Sequence, residues 1–115
     1  MIKGKYNFNT RFGDEAGTNP EELLAAAEAA CFSMALSLGL EQNGTPPQRI
    51  ETKAACTIAQ QGGGFKITTI KLDVTASVPN VDAAKFKEIA ENTKKNCPVS
   101  VALAGVDIQL NAKLA

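Results

Sequence analysis

The stretch 23-LLAAAEAACFSMALSLGL-40 has a helix-forming composition and is apolar on almost every side, interrupted by Glu28, two serines and Gly39. A helix on the surface of a globular domain needs one apolar stripe, whereas a helix apolar all round must be covered over most of its circumference. The chain has 115 residues, 44% of them hydrophobic, which predicts one domain over 1–115 with a real core. A domain of this size buries a modest share of its surface, so an added subunit interface would help to cover such a helix. The run barely reaches the length needed to span a bilayer and carries a carboxylate, so a central helix packed between sheets or subunits is expected, and no membrane.

The helix has clear ends. In 18-TNPEELL-24, Asn19 or Thr18 can cap the free N–H groups and Pro20 suits the first helical position. Glu21 and Glu22 sit at the positive end of the helix dipole, and either can close a capping box. The run 43-NGTPP-47 stops the helix. Ahead of it, 5-KYNFNTRF-12 alternates between Tyr6, Phe8, Thr10, Phe12 and the polar residues between them, which predicts a short strand or extended arm. Behind it, 50–60 reads as a strand with Ile50, Thr52, Ala54, Cys56 and Ile58 on one face, and 62-GGG-64 as a hairpin turn. The partner strand 65–78 breaks phase: Phe65 and Ile67 are odd, Ile70, Leu72, Val74, Ala76 and Val78 even. Either a bulge lies near Thr68–Thr69, or that end is apolar on both faces. A helix capped by Asp82, a short helix from Pro98 with Cys97 as cap and Gly105 as terminator, and a strand over 106–114 complete an α+β chain with an antiparallel sheet.

Composition closes off several function classes. Twelve basic residues balance twelve acidic ones, no basic stripe is present, and aromatics make up 5% with no Trp. Nucleic acid and anionic membrane are poor partners for such a chain. Three cysteines do not make a secreted disulfide framework, and 1-MIKGKYNFNTRF-12 lacks the apolar segment of a leader, so a cytoplasmic protein with reduced thiols is expected. With no His, and cysteines at 31, 56 and 97 in no paired spacing, neither a metal nor a cofactor is expected. Cys31, in the apolar helix, is open to two readings on spacing alone, a packed core thiol or a nucleophile in an apolar pocket. Cys97 sits at a predicted helix N-terminus, where backbone N–H groups and the dipole favour a thiolate. Cys56 lies on the apolar parity of a strand and carries no role.

Three segments, 9-NTRF-12, 17-GTNPEELLAAAEAACFSMALS-37 and 96-NCPVS-100, together resemble the OsmC/Ohr family of thiol-dependent hydroperoxide reductases, and its osmotically inducible OsmC branch most. The resemblance runs along nearly the whole chain in one continuous order. It implies an intertwined homodimer, with long central helices back to back, curved antiparallel sheets wrapped around them and active sites at the subunit interface. It implies reduction of organic hydroperoxides, and of hydrogen peroxide as a further substrate. Cys31 resembles the peroxidatic cysteine, Cys97 the resolving one, Arg11 the active-site arginine and Glu21 the glutamate that holds it, with Glu22 the competitor. A lipoyl-type dithiol or a small thiol is the implied reductant.

These roles fit the chemistry. A permanently charged guanidinium favours the Cys31 thiolate and the negative charge that develops on the peroxide. Glu21 can fix that guanidinium with a two-pronged pair. The Cys31 sulfenic acid condenses with Cys97 to a disulfide, which an outside dithiol reopens. Leu24, Phe32, Met34 and Val99 are expected to accept an alkyl chain.

The chain departs from the family pattern at two places. The OsmC branch usually has His, and the Ohr branch an aromatic, where this chain has Glu28. A carboxylate there opposes thiolate formation when ionised and costs desolvation when buried, so it is expected to carry a proton or to pair with Arg11 or a lysine. The strands that family members carry ahead of the arginine motif are expected to be shortened here. Both departures keep a rival reading open: a non-catalytic dimer of the same fold that binds a small apolar ligand.

Overall fold

The computed structural model describes residues 4–115; the reading of 1–12 as free of a leader rests partly on residues 1–3, which lie outside them. Seven elements follow in order: α1 (Phe8–Phe12), α2 (Pro20–Gln42), β1 (Arg49–Gln61), β2 (Gly64–Ser77), α3 (Ala83–Asn96), α4 (Pro98–Ala102) and β3 (Asp107–Leu114). The sheet has the order β1-β2-β3.

The segment expected as a strand or arm is a single helical turn. Asn7 caps it by accepting from the Thr10 N–H at 3.0 Å, while Thr10 Oγ1 accepts from the Asn7 N–H at 2.7 Å. That reciprocal box satisfies backbone groups locally, where a strand would need a neighbour to bond. The Phe8 and Phe12 rings, one turn apart, lie 5.3 Å from each other. Gly17 then brings the chain close to itself: at φ +158°, its Cα lies where a Cβ would come within 2.5 Å of the Lys5 carbonyl oxygen. The Thr18 N–H bonds that same oxygen at 2.8 Å.

Helix α2 starts as its sequence predicts, with Asn19 accepting from the Glu22 N–H at 2.8 Å and Pro20 in the first turn. It is long and apolar enough by length and composition to cross a membrane, yet two of its first three carboxylates, Glu21 and Glu28, are on the buried face. That face continues through Ala25, Phe32, Leu36 and Leu40 at steps of three and four. It packs on β1 and α3, and a 2.6 Å hydrogen bond between the Ser33 and Thr52 hydroxyls ties it to β1. The core beneath it is Phe32, Leu36, Leu40, Ile70, Leu72, Val74, Ala76, Phe86 and Ala90.

Strands β1 and β2 form an antiparallel hairpin closed by Gly62 and Gly63, both at positive φ, as a two-residue turn of right-handed twist requires. Thr57 pairs with Thr69 and Ile58 with Ile67, so Thr68 is the extra residue of a bulge, which accounts for the phase break. The antiparallel expectation fails at the other neighbour: β2 and β3 run parallel. The intervening α3 and α4 carry the chain back across the sheet, the kind of connection a parallel pair needs. Helix α4 ends at Ala102, capped by Leu103, short of the expected Gly105.

Candidate active site

Two pairs of predicted residues are brought together. In the first, the Arg11 guanidinium grips Glu21: Nε donates to both carboxylate oxygens at 3.1 and 3.2 Å, and Nη2 to Oε1. Helix α1 presents Arg11 and the first turn of α2 presents Glu21. Glu22, the competitor in sequence, instead accepts from the Thr18 hydroxyl at 3.0 Å. Burial alone would raise the Glu21 pKa. The Arg11 hydrogen bonds, a backbone N–H and the guanidinium charge outweigh it and hold the carboxyl below its ordinary value. The guanidinium also lies 5.1 Å from the Phe12 ring centroid, a cation–π distance.

In the second pair, Cys97 at the start of α4 packs against α2 one turn from Cys31: its thiol donates to Glu28, three residues before Cys31 on the same helix, at 3.7 Å. Cys31 is half-buried; Cys97 is buried, and both are free thiols. Cys97 caps α4 as expected, its sulfur accepting from the Ser100 N–H at 3.5 Å. The expected ease of ionisation does not follow. Burial pushes the Cys97 thiol up, the Ser100 hydrogen bonds oppose that, and the Cys31 thiol and the Glu28 charge add to it. A five-residue helix offers too little dipole to reverse the desolvation.

Glu28 is fully buried and, among the described residues, meets neither Arg11 nor a lysine. Its Oε1 accepts from the Ser100 hydroxyl at 2.5 Å and from the Cys97 thiol at 3.7 Å. Of the apolar residues expected to hold an alkyl chain, Phe32 is fully buried in the core, while Met34 is 74% exposed.

Arg11 and Glu21 line a cavity of about 350 Å³ whose far wall is Ala54, Cys56 and Ile58 of β1. Cys97 lines a separate one of about 320 Å³ with Ala35, Gly39, Ile89 and Pro98. Cys56 thus faces the Arg11–Glu21 pair, and burial followed by the Glu21 charge raises its pKa. Strand parity marked Cys56 as inward-facing, but nothing in the sequence says which cavity that face meets.

Residues 13–111 match the family model described as OsmC-like protein. The chain belongs to this OsmC-like family. It is 48% identical over 110 residues to peroxiredoxin OsmC of Escherichia coli, a match covering 93% of this chain and 77% of that protein. It is 35% identical over 107 residues to the organic hydroperoxide resistance protein OhrB of Bacillus subtilis, covering 91% and 76%. The crystal structure of an OhrB from B. subtilis superposes with a TM-score of 0.74 over 85% of this chain and 72% of that one, at 33% identity. The OsmC-like match accounts for the α+β order and for the long helix carrying Cys31 at its centre.

Proposed function

We propose that this OsmC-like chain, one domain over 1–115, is a cysteine-based peroxidase that reduces organic hydroperoxides, and hydrogen peroxide as a further substrate. Its 48% identity to a peroxiredoxin and its likeness to organic hydroperoxide resistance proteins support that substrate class. The observation that carries the mechanism is the packing of the Cys97 thiol against α2, 3.7 Å from Glu28 and so within one helical turn of Cys31. Cys31, the more accessible of the pair, attacks the terminal peroxide oxygen as a thiolate; the O–O bond breaks and an alkoxide leaves. Cys31 becomes a sulfenic acid. The buried Cys97 sulfur condenses with it, releasing water and forming a disulfide that protects Cys31 from further oxidation. A dithiol, lipoyl-type or small, then reopens the disulfide by exchange. A reducing cytoplasm suits a cycle that must return to free thiols.

Arg11 supplies the fixed positive charge that favours thiolate and leaving alkoxide, and Glu21 holds it. Because its own cavity is walled by Cys56, we assign Arg11 its role in a homodimer, where two copies wrap together and close a cleft over Cys31. The exposed side of α2 supports this: Leu23, Ala26, Ala27, Ala30, Met34 and Leu38 form an apolar row along it.

Reduced protein titrated with one equivalent of cumene hydroperoxide should lose the thiols of Cys31 and Cys97 and gain a disulfide between them, identified by peptide mass spectrometry, with Cys56 untouched. Survival of both thiols would leave the binding-module reading in place of the enzyme.

A further inference from the structure

The cycle leaves one proton without a destination. Cys97 must lose its S–H proton as its sulfur bonds to Cys31, and it does so where water has little access, at 2% exposure. Burial also pushes the thiol up, so little thiolate is present beforehand. Around that sulfur, among the described residues, the Ser100 N–H donates and cannot take a proton, and the Ser100 hydroxyl lies 3.3 Å away. The nearest lysine in sequence, Lys95, lies two residues away on exposed α3 surface, and Lys94 pairs with Glu91 at 3.3 Å. The group aimed at the sulfur is Glu28, whose Oε1 accepts from Cys97 at 3.7 Å and from Ser100 at 2.5 Å. Its Oε2 is buried with no hydrogen-bond partner among the described residues. A carboxyl fully removed from water with one oxygen unsatisfied is a costly arrangement for packing alone.

We infer that Glu28 is the proton carrier of the resolving step: it takes the proton from Cys97 and delivers it to the hydroxide leaving Cys31. This rests on the peroxidase reading and adds to it a catalytic residue. The step balances without an outside reagent. The Cys97 sulfur attacks the sulfenic sulfur of Cys31, the S–S bond forms and the S–O bond breaks. The Cys97 sulfur is oxidised and the Cys31 sulfur reduced. The proton passes from Cys97 to the Glu28 carboxylate, and from it to the departing hydroxide, giving water. Glu28 is one helical turn before Cys31 on α2, so the same side chain can serve both sulfurs. Ser100 is a positioning residue that fixes the carboxylate against the Cys97 sulfur.

The test is rapid quench of the reduced protein after one equivalent of cumene hydroperoxide, with dimedone present to trap sulfenic acid. Wild type should give the Cys31–Cys97 disulfide and little adduct. Glu28→Gln keeps size and an acceptor for Ser100 but cannot carry the proton. Disulfide closure should slow by about 100-fold, the low end of general acid–base effects, and the Cys31 adduct should accumulate. Glu28→Asp retains a carboxylate and should recover part of the closing rate. Ser100→Ala should slow closure by about 10-fold, since positioning is lost while the base remains. Should Glu28→Gln fail to fold, Glu28→Asp and Ser100→Ala decide: both closing at the wild-type rate would overturn the inference. A Glu28→Gln protein that closes its disulfide as fast as wild type would overturn it outright and leave the peroxidase intact. Wild type that does not react with the hydroperoxide would overturn the peroxidase reading first and this step with it.

Discussion

Each reactive sulfur in this chain is set by what its neighbours do with charge and water. Cys97 is buried and pushed towards the protonated form, which in the proposed cycle keeps it from solution oxidants until Cys31 is a sulfenic acid. Replacing Cys97 with Ser should leave a first turnover that consumes one equivalent of hydroperoxide. It should abolish the second and let excess peroxide carry Cys31 to the sulfinic state, visible as an added oxygen pair in the intact mass. Arg11 depends on Glu21 in a different way. Two of its nitrogens are spent on the carboxylate, which fixes the plane of the guanidinium rather than its charge. Glu21→Gln keeps the charge and loosens the plane, so kcat/KM for hydroperoxide should fall by about 10-fold or more. The pair also sets an acid limit. Because the folded Glu21 carboxyl titrates below 4.5, its contribution to stability is fully present above that value. It is lost as pH falls through the lower folded value. Melting temperatures of wild type and Glu21→Gln should therefore differ near neutrality and converge below pH 4.5. The pairing of Arg11 with Glu21 rather than Glu22 was expected from place in the motif alone. Spacing cannot separate two adjacent glutamates; the local bond of Glu22 to Thr18 does.

The elements divide into those whose signals are local and those whose signals are not. Caps and breakers are local chemistry, so the starts of α2 and α3 at Asn19 and Asp82 and the glycine hairpin were all legible. The parity break was legible too, but it allowed either a bulge or an end apolar on both faces; the strand register decides for the bulge at Thr68. Two features were not. Tyr6, Phe8, Thr10 and Phe12 satisfy a period of two, but Phe8 and Phe12 equally satisfy a helical step, and the Asn7–Thr10 box decided the matter. The parallel pairing of β2 with β3 depends on where α3 and α4 return the chain, a property of the whole connection and of no single residue. The Asn19 cap has consequences beyond its own turn, since it fixes the backbone that carries Glu21 two residues on. Asn19→Ala should cost about 1 kcal/mol of unfolding free energy in urea titration, the typical loss of an N-cap side chain. Peroxidase activity should fall along with it, through a less ordered Glu21.

At the scale of the whole molecule, the question is what covers the second side of α2. The buried side runs Glu21, Ala25, Glu28, Phe32, Leu36 and Leu40 against the chain's own sheet and α3. On the opposite side, Leu23, Met34 and Leu38 are 40%, 74% and 54% exposed, with alanines filling the row between. The all-round apolarity that dominates the sequence is therefore half explained by one chain. Tyr6, Phe8 and Phe65 add further exposed aromatic surface, at 75%, 75% and 61%. In the proposed homodimer, a second copy laid along α2 would cover the row and bring another Arg11 towards Cys31. Met34 is the most exposed of the row's three large side chains and is not part of the core of its own chain. Met34→Glu should thus leave the single chain folded, with an unchanged far-ultraviolet dichroism spectrum. A charge buried without a partner at the centre of an interface is strongly destabilising to that interface. Sedimentation velocity should show wild type as a dimer and Met34→Glu as a monomer, and peroxidase turnover should drop by about 10-fold or more because Arg11 no longer faces Cys31. Lys85→Glu, an exchange on the exposed side of α3, should change neither quantity. A Met34→Glu monomer with full turnover would show that the guanidinium and the thiol meet within one chain, and the dimer would then have no part in the chemistry.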